Sequence, residues 1–278
     1  MIINYFLEQG TRPRFIGEAV NEGARKNNYR CCTTHKSRFR NTDTDVAAMY
    51  GLRENSREIM IEYLAKGKKT LFFDLGYWGR HTPDRRSGHH RIAINGFHAK
   101  FGREECSSDR FKRFDIELKS FNQSGDYILL CGQSAKAAWV YGLDPEEWEL
   151  QIIEQIKENT DKPIWYVPKP SWDGKRPIPG TVYCDGPVEQ YIDNCWAVVT
   201  HHSNSGVHAL AAGKPVFTQE GVCKSLIGEL DLTSIDDPFI PSELERDNFL
   251  FNVAYWQWSI DEIKNGSMFR SLRERGLL

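Results

Sequence analysis

The sequence lacks most of the patterns that announce a function at sight. It has no CxxC pair, no Walker A motif, no GxGxxG and no GxSxG. Paired-cysteine zinc, P-loop, dinucleotide-binding and α/β-hydrolase readings therefore miss their defining residues. Long hydrophobic runs are missing too: the strongest, Tyr127–Cys131 and Cys195–Val199, fall far short of the ~20 residues that span a bilayer. The opening MIINYFLEQG has no basic stretch and reaches Glu8 before any long apolar segment, which predicts no signal peptide and a cytoplasmic protein. Seven cysteines make an odd set. Cys131, Cys184 and Cys195 lie in apolar surroundings, as core thiols do, while Cys31 and Cys32 beside His35 have no second ligand pair to complete a metal site. The expectation is reduced thiols and no metal.

What is present describes a globular chain with a real core. The 278 residues are 40% hydrophobic, 27% charged and 12% aromatic, with a mean hydropathy of −0.55. Those proportions exclude disordered, collagen-like and disulfide-scaffold classes. The net charge of −2 conceals an asymmetry. Residues 1–122 carry 23 Lys and Arg against 15 Asp and Glu, a balance of +8; residues 123–278 carry 13 against 23, a balance of −10. Arg25, Lys26, Arg30, Lys36, Arg38 and Arg40 occur without an intervening acid, and Arg80, Arg85, Arg86 and Arg91 accompany His81, His89 and His90. Either the N-terminal half meets a polyanion or the two halves neutralise each other.

Strand and helix patterns alternate along the chain, as in parallel α/β folds. Strands are predicted at Ile2–Leu7, Thr70–Asp74, Asp126–Cys131, Pro163–Val167, Val182–Cys184, Ala197–Thr200 and Val216–Phe217. Helices are predicted near Gly17–Lys26, Ser56–Lys66, from Asp144-Pro145 to Asn159, from Pro187, over Val207–Ala212, and from Glu243 onward through Tyr255, Trp256 and Trp258. The polar SFNQSG segment at 120–125 marks a hinge where the charge changes sign. The expected organisation is a Rossmann-like domain over 1–122, a second over 123–245, and C-terminal helices over 246–278 that pack back on the first.

In open α/β sheets, ligands bind beyond the carboxyl ends of strands. Three such ends in the second half carry unusual polar residues: Gly132-Gln133-Ser134, Lys169-Pro170-Ser171, and His201 to Gly206. Ser203, Asn204, Ser205 and Gly206 open a helix, where backbone N–H groups and the helix dipole favour phosphate; a plain helix cap uses the same residues. Asp43-Thr44-Asp45 reads as a solvated turn. In the first half, Asp74 ends an apolar strand, which suits either a partly desolvated general base or a cap.

The pattern FxDxGYxGR, formed by Phe72, Asp74, Gly76, Tyr77, Gly79 and Arg80, resembles the acidic-Gly-aromatic motif of capsule-type sugar transferases and bacterial sialyltransferases. Leu75 stands where those have a second acid. Pro168-Lys169-Pro170 resembles their His-Pro segment with Lys in place of His, and His202-Ser203-Asn204-Ser205 resembles their Ser/Thr motif, followed by Gly213-Lys214-Pro215-Val216. The ending from Trp256 to Ile263, with Gly266 beyond, is similar to that of phage-encoded glycosyltransferases. The resemblance implies an α/β GT-B fold of two Rossmann-like domains with parallel sheets. It implies a nucleotide-sugar co-substrate, a UDP-sugar first, held by Gln133, Lys169, Ser203–Gly206 and Glu220, with no further cofactor. Asp74 would deprotonate the acceptor hydroxyl. With the basic N-terminal half, the expected acceptor is a hydroxymethylated base in double-stranded phage DNA, contacted by Tyr77, Trp78, Arg80, Arg38, Arg40, His89 and His90; a flipped base would stack on Tyr77, Trp78 or Phe97. The alternatives are a capsule-like saccharide acceptor, a non-catalytic nucleotide binder, and a DNA-binding protein. No membrane partner is expected.

Overall fold

A computed structural model of the chain describes residues 1–41, 43–52, 54–80, 86–102, 105–170 and 172–278. The elements run β1 (Ile2–Leu7), α1 (Thr11–Lys26), β2 (Arg30–His35), β3 (Val46–Tyr50), α2 (Glu54–Ala65), β4 (Lys69–Leu75) and β5 (His89–Ile94). They continue with β6 (Tyr127–Cys131), α3 (Ala135–Tyr141), α4 (Glu147–Asn159), β7 (Ile164–Val167), β8 (Val182–Tyr183), α5 (Glu189–Ile192) and β9 (Cys195–Thr200). Last come α6 (Ser205–Ala211), β10 (Val216–Thr218), α7 (Lys224–Ile227), α8 (Glu243–Tyr255), β11 (Gln257–Ser259), α9 (Ile260–Lys264) and α10 (Ser267–Glu274). Two compact units result, one of residues 1–99 and 255–278, the other of residues 100–254.

The first unit is built on a six-stranded sheet in the order β11-β5-β4-β3-β1-β2. Strands β1 to β4 are parallel, while β5 and β11 pair antiparallel at one side. Helix α1 buries Phe15, Ile16, Ala19, Val20 and Ala24, a stripe at helical spacing. Its first turn contains Pro13, so the helix starts at Thr11, earlier than Gly17, because a proline there lacks only an N–H with no intrahelical acceptor. Gly10 precedes it at φ 127°, a conformation suited to glycine. The opposite face packs Phe6, Met49, Ile59, Tyr63 and Phe72. Trp256 to Ser259, expected as helix, holds edge strand β11, with Trp258 paired to His90 and Gln257 to Arg91.

The second unit has a five-stranded, all-parallel sheet in the order β10-β9-β6-β7-β8. Ile128, Leu130, Ile152, Ile153, Ile156, Tyr166 and Val199 form its core. Helix α4 begins at Glu147 and not at Asp144: Asp144 forms a turn that donates its N–H to Glu147 Oε2 at 2.8 Å, and Glu146 sits at φ 68° with its carboxylate clamped by Arg176. Residues 100–122 group with this unit and not with the first. Lys119 N–H donates to Ala211 O at 2.9 Å, Asn122 N–H to Gly213 O at 2.9 Å, and Arg246 Nη1 reaches Lys119 O. The charge asymmetry follows the units: 1–99 plus 255–278 hold 21 Lys and Arg against 13 Asp and Glu, leaving 15 against 25 in 100–254.

The order of strands decides where each unit can hold a ligand. A crevice opens where successive connections leave a strand to opposite sides. In the first unit that point lies between β1 and β3, and in the second between β6 and β9.

Candidate functional site

In the second unit the carboxyl ends of β6 and β9 bring Cys131, Gly132 and Gln133 beside Thr200, His201, His202, Ser203 and Ser205. Gly132 is required by close approach, since a Cβ there would lie 2.6 Å from the Tyr166 hydroxyl. Gln133 is 5% exposed; its N–H donates to Glu149 Oε1 at 2.7 Å, and both atoms of its side-chain amide have no partner. Glu149 Oε2, the Tyr166 hydroxyl and Trp148 Nε1 are likewise buried without a partner. Burial raises the Glu149 carboxyl and the Tyr166 phenol above their ordinary pKa values. Burial also pushes the Cys131 thiol up to about 12, partly offset by a hydrogen bond with Ser205 and by the charge of Lys169. Lys169, half-buried past the end of β7, is thus electrostatically coupled to the end of β6. A buried polar group without a partner costs about 1–3 kcal/mol. A cluster of them at a strand-end crevice is the usual signature of a missing polar ligand or water.

The loop from β9 into α6 is more self-satisfied than the sequence suggests. Ser203 Oγ lies 2.9 Å from Ser205 Oγ and accepts the Ser205 N–H at 3.2 Å, while Ser203 O accepts the Gly206 N–H at 3.2 Å. Three of the N–H groups expected to face phosphate are therefore engaged, that of Ser203 by Thr200 Oγ1 at 3.1 Å, and the Ser205 hydroxyl is itself buried against Ser203. Asn204 is the N-cap residue and makes no side-chain cap bond. Glu220 donates its N–H to His201 O at 2.6 Å, and its carboxylate lies 3.5 Å from Lys224 Nζ. His201 is 3% exposed, packed against Tyr141 and Trp148, and its Nδ1 lies 2.9 Å from Nδ1 of His202. Burial, and then Lys224, lower its pKa to about 4.

In the first unit the crevice between β1 and β3 is filled from within. Lys36 is 4% exposed, and its ammonium donates to Glu8 Oε2 at 2.8 Å, Tyr50 O at 3.0 Å and Ser56 Oγ at 2.7 Å. Next to it, Arg12 hydrogen-bonds the Tyr50 hydroxyl, whose pKa burial and then Asp74 raise to about 12. Asp74, at the end of β4, is not a lone desolvated acid. Its Oδ1 accepts its neighbour Leu75 N–H at 2.8 Å, and its Oδ2 accepts from Arg91 Nη2 at 2.8 Å, with a quarter of the side chain exposed. Arg91 Nη1 lies 3.1 Å from His98 Nδ1. Burial alone would lower the Arg91 guanidinium, but Asp74 and Tyr77 outweigh it, so the arginine stays charged. The ion pair anchors Asp74 at the end of β4.

The structure redistributes the other acceptor-side residues. Tyr77 and Trp78 are 1% and 4% exposed, with backbone N–H groups donating to Gln257 Oε1 at 2.8 and 3.2 Å, so their rings belong to the core and offer no stacking face. Phe97 packs edge-on to Phe72. His90 is 1% exposed, with Nδ1 3.1 Å from Gly88 O; burial, and then Arg12, lower its pKa to about 4, so it is a neutral core residue. His89 and Arg80 are half-buried, His89 in the register position next to His90 and Arg80 farther along the hairpin, its carbonyl beside Gly88. Arg38 and Arg40 are exposed past the end of β2, at the same end of the parallel strands as Asp74; Arg40 donates to the carbonyls of Ser37 and Phe39. Arg25 and Arg30 lie at the opposite end of the sheet, so the basic run is not one patch. Asp43 and Asp45 are exposed, as expected of a solvated turn, and Asp45 Oδ2 accepts the Ile2 N–H at 2.7 Å. His81, Arg85 and Ser171 lie outside the described residues.

Sequence reasoning missed Glu8, Lys36, Arg91 and Glu149. Only Glu149 left a signal: it occupies the apolar stripe of α4, three, four and seven residues before Ile152, Ile153 and Ile156. Among the described residues, no group of three His, Cys, Asp or Glu could hold a metal ion, and no helix is long and apolar enough to cross a membrane.

No family model and no curated protein matches the sequence. Solved structures do. The Thermosulfurimonas dismutans KpsC beta Kdo 2,4 transferase aligns over 96% of this chain and 98% of its own, with a TM-score of 0.54 and 13% identity. The beta Kdo 2,7 transferase of the same organism's KpsC aligns over 97% and 99%, with a TM-score of 0.53 and 12% identity. At that identity the likeness concerns fold, and it confirms the GT-B-like pair of Rossmann-type units expected from the sequence.

Proposed function

We propose that the chain is a glycosyltransferase that moves a sugar from a nucleotide-sugar, a UDP-sugar first, to an acceptor hydroxyl. The observation that carries this reading is the buried, unpartnered Gln133 side chain at the switch point between β6 and β9, flanked by Lys169, Ser203 and Ser205. That arrangement suits a ligand with both polar and anionic parts. The fold shared with two Kdo transferases supports the same reaction class. In the transfer, the bond between the anomeric carbon and the phosphate oxygen breaks, and its electron pair stays on the nucleotide. Lys169 and the hydroxyls of Ser203 and Ser205 stabilise the growing negative charge there, as preorganised donors do in a dry site. The acceptor oxygen forms the new bond to the anomeric carbon and gives its proton to Asp74. Arg91 holds that carboxylate in an ion pair at 2.8 Å, a partner the motif around Gly76 did not reveal.

The acceptor we propose is a hydroxymethylated base in duplex DNA. The +8 balance of the first unit supports it, as do exposed Arg38 and Arg40 at the same end of the parallel strands as Asp74, three strands away in the sheet order. A saccharide acceptor is the second reading, favoured by the burial of Tyr77 and Trp78, which leaves no aromatic platform for a flipped base. The test is label transfer from UDP-, GDP- and CMP-sugars to hydroxymethylated DNA, unmodified DNA and acidic oligosaccharides. Label on hydroxymethylated DNA alone supports the first acceptor, and label on the saccharide alone replaces it with the second. Asp74→Asn is expected to lower transfer by about 10²–10⁴-fold while donor binding persists. Transfer within tenfold of the parent chain would remove Asp74 as the base.

A further inference from the structure

Arg12 stands in the first turn of α1 and has no task in the transfer described above. The helix starts soon after β1, and its N-cap residue Gly10 makes no side-chain bond. No acid stands in the first turn to offset the positive end of the helix. The Arg12 side chain is half-buried, and its hydrogen-bond partner is the Tyr50 hydroxyl at the end of β3. Its Nε is buried without a partner. Asp74, Arg12 and Glu8 all act electrostatically on that phenol. Both carboxylates are taken, Glu8 by Lys36 at 2.8 Å and Asp74 by Arg91 at 2.8 Å. Among the described residues Arg12 is in ion-pair contact with no carboxylate, so it is the cation left over in this cluster. His90, 1% exposed and neutral, lies edge-on to Tyr50 at 6.1 Å and adds no countercharge. Arg12 and Asp74 act on the same two rings, Tyr50 and His90, which sets the lone cation and the carboxylate around one recess of the first unit. A guanidinium drawn into a recess without a carboxylate loses hydration and gains no partner. An arriving anion recovers that loss, and the guanidinium offers it paired N–H donors in a fixed plane.

We propose that Arg12 anchors an oxyanion carried by the acceptor, a carboxylate or a phosphate, and so selects which acceptors present a hydroxyl to Asp74. The anion pairs with the guanidinium at the positive end of α1, and the hydroxyl to be glycosylated lies farther along the acceptor. Tyr50 holds the guanidinium plane, while Arg12 itself moves no proton and touches no reacting atom. The oxyanion is a phosphate beside the modified base if the acceptor is DNA, and the carboxylate of an acidic sugar if it is a saccharide. Arg12 reads the same chemistry in both. The inference rests on the transfer reading for the part played by Asp74; the anion site itself stands on the first unit alone.

Titration calorimetry of the full-length protein at about 50 mM salt measures acceptor binding without requiring transfer. The acceptors are hydroxymethylated duplex DNA and an acidic oligosaccharide, each beside a version with the anion removed. Those versions carry methylphosphonates in place of the phosphates flanking the modified base, or carboxyl-reduced sugars. For the acceptor that the parent chain binds, removing the anion should weaken affinity roughly 10–100-fold, the worth of a hydrogen bond to a charged group. Arg12→Gln should weaken the charged acceptor by the same factor and leave the uncharged version unchanged. Arg12→Lys, which keeps the charge without the planar fork, should fall between the two. The melting temperature of Arg12→Gln should match or exceed the parent's, because the change strands no carboxylate. The DNA and saccharide arms identify the source of the anion. Charged and uncharged acceptors bound alike, parent and Arg12→Gln bound alike, or no charged acceptor bound at all overturns the proposal. If charged acceptors bind through Arg12 yet take no label from any nucleotide-sugar, the anion site stands and the transferase reading falls.

Discussion

The two sheets solve the same topological problem in opposite ways. Each has a switch point where polar strand ends must be satisfied. In the first unit the crevice between β1 and β3 is closed by Lys36, whose three donors all find protein acceptors. In the second, the crevice between β6 and β9 keeps a buried amide, a carboxyl oxygen, a phenol and an indole N–H without partners. A filled crevice contributes stability and gives a ligand nothing to bind; an unfilled one costs stability and recovers it from the ligand. One strand over in the first unit stands Asp74, at the end of β4, anchored by Arg91 and a quarter exposed.

The contrast can be broken most sharply at Lys36. Lys36→Met removes the ammonium from Glu8 Oε2, Tyr50 O and Ser56 Oγ in a nearly closed site and is expected to cost about 3–5 kcal/mol of unfolding free energy. Adding Glu8→Gln should restore part of that, a coupling that denaturant unfolding of the double-mutant cycle reads directly. Donor affinity should stay unchanged throughout. If Lys36→Met left the urea midpoint in place, the filled crevice would not be a stability element.

Acid should erode both units alike. His90 in the first and His201 in the second are each neutral and buried, with pKa values lowered to about 4 from 6.5. Below pH 6.5 the unfolded chain binds protons that the folded chain refuses, so this stability is complete above 6.5 and is lost as pH falls toward 4. Each histidine contributes on the order of 3 kcal/mol to that loss. His90→Leu should flatten the slope of stability against pH over this range by up to about 1.4 kcal/mol per pH unit, and a slope equal to the parent's would exclude His90 as a source.

A smaller effect, confined to binding, is expected at Lys169. Lys169→Ala should weaken UDP by about 1.5–3 kcal/mol, the range for a charge-assisted contact, without lowering the melting temperature. Calorimetric affinity equal to the parent's would move the phosphate elsewhere. The mildest test separates the acceptors. If DNA is bound, neutralising Arg38 and Arg40 together should reduce the slope of log affinity against log salt by roughly 1–2. No DNA binding at about 50 mM salt, where phosphate contacts are strongest, would leave the charge asymmetry without a nucleic-acid role.

The readable parts of the sequence were the apolar runs. β1, β4, β6, β7, β9 and β10 announce themselves because parallel strands buried on both faces are nearly continuous in apolar residues. β2 and β5 do not. Arg30–His35 is an edge strand with little burial on either face, and His89-His90-Arg91 reads as a basic loop until the cross-strand pairing of Arg91 with Asp74 turns its charge inward. The same reasoning explains the site. Gln133, Lys169 and Ser203–Ser205 stand where strand ends can be located from the pattern alone. Lys36 and Glu8 could not be separated from surface charges, because burial is a property of the fold and their 28-residue separation gives no spacing cue. Tyr77 and Trp78 were misjudged for the opposite reason: aromatic residues beside a glycine look exposed, and only Gln257, 180 and 179 residues later, shows what covers their backbone.

That last pair of hydrogen bonds also sets a timetable. The ribosome delivers the chain from one end, so the whole of the second unit, ending at Ala254, leaves the exit tunnel before the residues of β11 do. Until then β5 has an open edge, the Gly76–Trp78 turn after Asp74 has no carbonyl from Gln257 to grip, and the Gly23 face of α1 waits for α9. The younger unit can mature first, while the one begun earliest is completed last. A nascent chain stalled with Ala254 just outside the exit tunnel should resist protease from about residue 100 onward and remain cleavable before it.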